Sequence, residues 1–398
     1  MKALKLSFLA VILSCSFYSC NGAKSENIID DGKVPAPIED KQIPIIYSSD
    51  LFHPPGDIDD HYDLVVLFMM QEFDIKALIF DISTASRQPN DIGLAALRQI
   101  ASITNRPIPP YAVGLRQSLT SQDDRGEGQA SQFQAGVELI LTTLQESDEK
   151  VVLFLVGSCR DFAAAYNRDS TLLKEKVAAV YVNAGCGPDG EQNEWNVGLD
   201  RNAYLCLLKS DLPIYWCPCL TRGRLSSASK QEIESNSIYS YNTFFTIPNQ
   251  AELVKTLPAK VQNLLIYAAT SSSTDPIEYL VRTPGAFTTD IKGMWSIAPL
   301  VHAAGRKIYV KGNGNYFAYS PQEAQNLGID NSKVDVFLFH TIRLSQTSPD
   351  GASHLPVLAG ELDVAESSVQ VFQYIYPDFN EAMVSVLANI MKTQTPSN

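Results

Sequence analysis

The sequence predicts an α/β protein with a mostly parallel central sheet flanked by helices on both faces, an open Rossmann-type layout. Short β-prone runs that are apolar on both faces alternate with helical patterns along much of the chain. Such runs mark strands buried between two helical layers. The chain also has 398 residues, 45% hydrophobic and 19% charged, which is enough apolar material for a large core.

The β-prone runs are Ile43 to Tyr47, Ile75 to Phe80, Val151 to Val156, Ala179 to Ala184, Leu212 to Trp216 and Ile308 to Val310. After the first of them, Tyr62, Val65, Val66, Met69, Met70 and Phe73 recur at helical spacing and predict one apolar stripe facing the sheet. Comparable patterns predict helices over residues 89–104, 200–210, 250–271 and 291–304. Farther on, Val334 to Ile342 and Val369 to Tyr376 are β-prone and suit added antiparallel strands or a C-terminal subdomain, followed by a helix around Asn380 to Met391. Polar stretches at 82–92 and 115–131 predict loops that border a cleft.

The N-terminus reads as a secretion signal. MKALK is basic, and Leu6 to Leu13 is an apolar run too short to span a bilayer as a helix. Ser19 then precedes Cys20, and Asn21-Gly22-Ala23-Lys24 is polar, a pattern similar to a lipobox with Cys20 as the lipidated mature N-terminus. Cys15 is the alternative, with the less polar Ser16-Phe17-Tyr18-Ser19 after it. The expected layout is a signal over residues 1–19, a tether over 20–41 and an α/β domain over 42–398 whose C-terminal extension begins near 311. The expected location is the cell envelope, with the chain exported and lipid-anchored.

A formal net charge of −13 disfavours any face that must neutralise phosphates, so no nucleic-acid partner is expected. Cys159, Cys186, Cys206, Cys217 and Cys219 remain in the mature body, an odd number that leaves at least one unpaired. Cys217-Pro218-Cys219 has no further thiolate or imidazole partner at zinc-site spacing, so buried, inert cysteines are expected.

Chemistry concentrates after the first strand, where Asp50, Asp57, Asp59, Asp60 and Asp63 put five carboxylates within fourteen residues. Ligands of open α/β sheets bind at the carboxyl ends of strands. Crowded carboxylates repel one another unless a cation or protons intervene, and a hard cation with oxygen ligands, Ca²⁺ before Mg²⁺, is the natural solution. Helix capping by Asp57 or Asp59 is the bland alternative, and it accounts for one or two aspartates but not five. His53 and His61 are the histidines beside this loop, whereas His302 and His340 sit in apolar surroundings and read as core residues.

The loop resembles that of the inosine/uridine-preferring nucleoside hydrolases, whose first strand ends in Asp-x-Asp-Pro-Gly-x-Asp-Asp. The likeness continues in order through Val156-Gly157-Ser158-Cys159-Arg160-Asp161, Val182-Asn183-Ala184-Gly185, Glu194-Trp195-Asn196 with Asp200-Arg201-Asn202-Ala203, and Leu212-Pro213-Ile214. It covers roughly residues 43–310 and makes the chain resemble a divergent, secreted member. The resemblance implies Ca²⁺ held by Asp50, Asp60 and the Val156 carbonyl. It also implies that Asp50 deprotonates the attacking water, that Asp59 holds ribose hydroxyls, and that Glu194 and Asn196 bind the outer hydroxyls of the sugar. The implied reaction is hydrolysis of the N-glycosidic bond of a nucleoside or related furanoside.

Two departures bear on that expectation. Asp50 precedes Asp59 and Asp60 by nine and ten residues, farther than in the family's loop, because an insertion carries Phe52, His53 and two prolines. Asp57 is therefore the alternative to Asp50 as ligand and base, and His53 becomes a candidate substrate contact. The family's late His-Asp pair falls at Met294-Trp295, neither of which binds calcium or donates a proton as that pair does. Asp63 and Asp290 are the carboxylates that could fill the gap, and Trp295 could stack on a ring or sugar face. The alternative reading is a surface lipoprotein that binds a nucleoside or sugar without cleaving it.

Overall fold

Thirteen strands are found in the computed structural model, which describes residues 42–82, 92–186, 194–220, 240–270, 272–343, 368–375 and 378–393. They are β1 (Ile43–Ser49), β2 (Phe73–Phe80), β3 (Tyr111–Val113), β4 (Val151–Leu155), β5 (Val177–Asn183), β6 (Ile214–Cys217) and β7 (Phe245–Ile247), then β8 (Lys292–Met294), β9 (Lys307–Val310), β10 (Tyr316–Tyr319), β11 (Lys333–Val334), β12 (Phe337–Arg343) and β13 (Ser368–Tyr374). The expected signal segment, Cys20 and the tether lie outside the described residues, as does most of the 82–92 stretch.

The main sheet runs β12-β13-β6-β5-β4-β1-β2-β3. Every neighbouring pair is parallel except β12 with β13. Starting from β1, the chain builds β2 and β3 to one side and then returns to build β4, β5 and β6 on the other. The order therefore reverses between β1 and β4, the kind of switch point where the carboxyl ends of two strands part and leave a crevice. The expected mostly parallel α/β sheet is what the chain forms, with the C-terminal pair β12 and β13 completing one edge.

The strands are doubly apolar because both faces are covered. Ile45, Tyr47, Val152, Phe154 and Tyr181 point into one core, while Ile46, Val151, Leu153, Leu155, Val180 and Val182 point into the other. The first core is closed by α1 (Asp59–Met69), α2 (Leu94–Thr104) and the later helices Ala259–Thr270, Ile297–Ala303 and Phe379–Lys392. The second is closed by α3 (Ala135–Glu146), α4 (Arg160–Arg168), α5 (Ser170–Lys176) and, after the short α6 (Trp195–Leu199), by α7 (Arg201–Lys209).

Several elements depart from the sequence pattern. In α1 every residue from His61 to Met69 is buried, so it carries no single stripe; it is enclosed by α2 and the helices Ala259–Thr270, Ile297–Ala303 and Phe379–Lys392, which cover it on several sides. The pattern over 250–271 is two helices, Gln250–Val254 and Ala259–Thr270, parted at Pro258, which disfavours helix in the residue before it. The pattern over 291–304 is β8 followed by the helix Ile297–Ala303. Gly293 lets β8 pass the Phe244 ring, since a Cβ there would come within 2.6 Å of it. Ile308 to Val310 lies in β9, the middle of a separate antiparallel sheet β10-β9-β11, and not in the main sheet.

Candidate active site

Four adjacent strands deliver the site. Asp50 follows β1, Val156 follows β4, Asn183 ends β5, and Cys219 with Leu220 follows β6. Together with Phe52, Gly56, Asp57, Asp59, Asp60 and Asp63 from the acidic loop and α1, Glu194, Trp195 and Asn196 from α6, and Trp295 with Ser296 after β8, they line one cavity of about 470 Å³. Residues from six separate stretches of the chain thus meet at the carboxyl edge of the sheet. Gly157 permits the central approach: a Cβ there would lie 2.8 Å from Asp81 Oδ2 and 3.2 Å from the Asp50 nitrogen.

The acidic loop is not a helix cap. Asp57 Oδ1 accepts from the neighbouring Ile58 N–H at 2.7 Å, while Ile58 is the N-cap of α1, which has no side-chain cap. Asp59 and Asp60 occupy the first turn, where the helix dipole favours negative charge. Asp60 accepts a hydrogen bond from Ser49 Oγ at 2.8 Å, and Asp63 is hydrogen-bonded by Ser296. The other Asp63 oxygen, Oδ1, is buried with no hydrogen-bond partner.

Crowding and burial set the protonation of this cluster. Burial, then Asp50, Asp59 and Asp63, hold the Asp60 carboxyl well above the usual carboxylate range, with Ser49 opposing. Asp63 is pushed the same way by burial and Asp59. Asp59 is raised by burial and Asp57, against the pull of Lys292. The buried Tyr47 hydroxyl beneath them is raised by burial and the four nearby aspartates.

Lys292 is the cationic partner that the sequence reading overlooked. Its side chain is only 7% exposed; its ammonium is ion-paired to Asp57, stands 3.7 Å from Asp59 Oδ1 and lies 5.3 Å from the centre of the Trp295 ring. It falls within a stretch that reads as helix, which gave no sign that Nζ would reach the acidic loop.

Glu194 is the side-chain cap of α6. Its Oε1 accepts from the Asn196 N–H at 3.0 Å, and its Oε2 accepts from Gly185 and Val197 at 2.8 and 3.1 Å. Burial raises its carboxyl, and these backbone donors pull it back. Asn196 Nδ2 donates to the Asn183 carbonyl at 2.9 Å, and Asn183 Nδ2 donates to Leu155 at 3.1 Å, leaving Asn183 Oδ1 buried without a partner. Asn183 stands in a matched motif yet was not singled out as a site residue. Trp295 anchors its indole through Nε1, which donates to the Cys219 carbonyl at 2.9 Å, while Trp195 is 65% exposed.

Most of the anticipated site residues therefore meet: Asp50, Asp57, Asp59, Asp60, Val156, Glu194, Asn196 and Trp295 all line the cavity. His53 does not. Its ring stacks on Tyr267 with centroids 4.9 Å apart, and Nε2 lies 3.4 Å from the Ser272 carbonyl. His61 is buried in α1, where burial pushes it down to about 3. His302 meets the Tyr181 hydroxyl through Nδ1 at 2.8 Å, and burial lowers it to about 4. Asp290 and the 115–131 loop contribute nothing to the lining, and all five body cysteines are buried.

The donor set for a cation can be tested against these contacts. Asp50, Asp60, Asp63 and the Val156 backbone offer oxygen only, and the unpartnered Asp63 Oδ1 is a buried acceptor without a donor. Among the described residues no group of three or more acidic, histidine or cysteine side chains is placed to hold a metal ion by itself. A hard cation there would have to complete its shell from backbone and water beyond these carboxylates.

No protein-family model and no curated protein matches the chain. Among solved structures, a plant nucleoside hydrolase is 15% identical with a TM-score of 0.53, over 88% of this chain and 99% of that one. A purine-preferring ribonucleoside hydrolase from Gardnerella vaginalis is 13% identical with a TM-score of 0.47, and an inosine-uridine preferring nucleoside hydrolase from Bacillus anthracis is 12% identical with a TM-score of 0.45, each over 88% of this chain and 99% of its own. The chain has the nucleoside hydrolase fold.

Proposed function

We infer that the protein is a hydrolase that cleaves the N-glycosidic bond of a nucleoside or related furanoside, working outside the cytoplasm on a lipid tether at Cys20. One observation carries this reading: a single cavity at the switch point of the sheet gathers Asp50, Asp59, Asp60, Val156, Glu194 and Asn196, the residues on which the family resemblance rests. The cavity is also large enough for a small-molecule ligand.

Asp50, Asp60, Asp63 and the Val156 carbonyl would hold Ca²⁺, which when bound supplies a water of lowered pKa. Asp50 takes the proton of the attacking water as general base, with Asp57 the alternative. Asp59 accepts from sugar hydroxyls, and Asn196 offers groups to the outer ones. Glu194 acts on the sugar chiefly by fixing α6, because its oxygens already accept three backbone N–H groups. The surrounding carboxylates favour the positive charge that develops on the sugar as the bond to the base breaks. Phe52, Trp195 and Trp295 give the leaving base aromatic faces.

A second reading, binding without cleavage, is favoured by Trp295, whose one polar atom is already spent on Cys219 in the stretch where the family's late His-Asp pair falls. Sugar release from a panel of nucleosides, beside calorimetric binding, separates the two. Hydrolysis predicts release by the wild type, with Asp50→Ala binding ligand but releasing at least about a hundredfold more slowly. Binding without release in the wild type sinks the hydrolase reading.

A further inference from the structure

The hydrolytic chemistry makes no use of Lys292, yet its ammonium is built into the cavity wall. It is nearly solvent-free, whereas its partner Asp57 is 60% exposed. Burying an ammonium is costly unless it is paired. Here the pairing is threefold, with Asp57, Asp59 and the Trp295 face around one nitrogen. The lysine is also held in register, since β8 pairs Lys292 with Ile247 of β7. The cation is therefore fixed by the fold and spans from the late β8 turn to the early acidic loop.

The contacts split the aspartates into two groups. Lys292 pairs directly with Asp57 and stands closest to Asp59, while Asp60 accepts from Ser49, and Asp63 is held by Ser296 and, after it, by the more distant charge of Lys292. We propose that Lys292 is a resident counter-ion that holds the outer aspartates Asp57 and Asp59 and restricts a divalent cation to the inner set Asp50, Asp60 and Asp63. A fixed positive charge a few ångströms from a divalent ion opposes it through a medium of low effective dielectric. The same charge keeps the inserted loop folded against the cavity when no metal is bound. The proposal rests on the calcium-assisted reading for the identity of the competing ion, and on geometry alone for the role of Lys292.

Calorimetric titration with calcium alone tests it on the full chain and on K292Q, K292R and K292Q/D57N. Glutamine keeps a donor for Asp57 while removing the charge, so K292Q binds calcium about tenfold tighter or takes a second ion. K292R matches the wild type, and K292Q/D57N, which removes one negative charge with the positive one, returns toward it. Equal affinity and stoichiometry in wild type and K292Q overturn the proposal, as does absence of calcium binding in both. Should K292Q not fold, the charge-balanced double variant must fold and bind calcium as the wild type does; a double variant that fails in either respect overturns the proposal as well. Sugar release is measured on the same samples. No release with the expected calcium pattern refutes the hydrolase reading and leaves the role of Lys292 standing, whereas release with no response to K292Q does the reverse.

Discussion

Arg160, wholly removed from solvent, donates from Nε to Asp200 Oδ2 across 3.0 Å. Its Nη1 donates to the carbonyls of Leu115 and Arg116 and its Nη2 to that of Leu199, while Asp200 also accepts from Leu119 and caps α7 through Ala203. One ion pair thus ties the strand-end turn after β4 to the junction of α7 with α6, the helix that Glu194 caps and that carries Asn196. Apart from Val156, the turn and the Asp-Arg-Asn-Ala segment that carried the family resemblance frame the site without lining its cavity.

Replacing Arg160 by Met should strand Asp200 as a buried charge without its partner, at a cost of about 3–5 kcal/mol. Urea unfolding measures this. A loss below about 1 kcal/mol, the range of an exposed pair, would show that the pair does not hold the frame.

Gly157→Ala should cost about 1–3 kcal/mol, because the added methyl meets Asp81 and the Asp50 backbone and neither can withdraw far. It should also slow sugar release more than it weakens ligand binding, since Asp50 shifts while Asp59 and Asn196 stay. Equal release by the alanine variant and the wild type would separate Asp50 from the reaction.

Asp161 sets a pH dependence remote from the cavity. Burial raises its carboxyl to about 7 from 3.8, with the Leu115 N–H opposing. The folded chain therefore holds a proton there that the unfolded chain has released between those values, and stability falls as pH rises through that window. Each unit of separation corresponds to about 1.4 kcal/mol. Asp161→Asn should flatten this part of the stability profile and raise stability at neutral pH, as followed by thermal unfolding from pH 4 to 8; an unchanged slope would place the titration elsewhere.

If the proposed calcium site is correct, calcium should raise the melting temperature, because it would bind the folded cavity and not the unfolded loop. The gain is about 2.7 kcal/mol at a hundredfold excess over Kd. Asp60→Asn should abolish most of the shift, whereas Asp57→Asn should leave it in place, since Asp57 is held by Lys292. A shift lost equally in both variants would contradict the division into inner and outer aspartates.

The helices and strands that the pattern located well are those whose environment is uniform. β1, β4, β5 and β6 and the second half of β2 are covered on both faces, so a nearly unbroken apolar run identifies each of them. β3, β7, β8 and β10 are only three or four residues long and mark no period. Lys292-Gly293-Met294 shows the consequence: three residues beside a true helix were absorbed into its pattern, and the cation of the site was absorbed with them. His53, by contrast, looked like a site residue because it is near the aspartates in sequence; the turn through Pro54 and Pro55 carries its ring to Tyr267 instead.

From residue order alone came the sheet class, the carboxyl-edge position of the site and its acidic loop, because local periodicity and a short acidic loop are written in neighbouring residues, while Glu194 and Asn196 came from the order of motifs that resembles the family. The three-dimensional fold decided which of those groups face one another, that Glu194 spends its oxygens on a helix cap, that Asp60 and Asp63 depend on serines, and that Lys292 closes on Asp57 and Asp59. The Glu194 cap and the Ser49–Asp60 bond are local in sequence but set by turn geometry, whereas Lys292 reaches Asp57 and Asp59 across more than two hundred positions, a distance that no periodicity encodes.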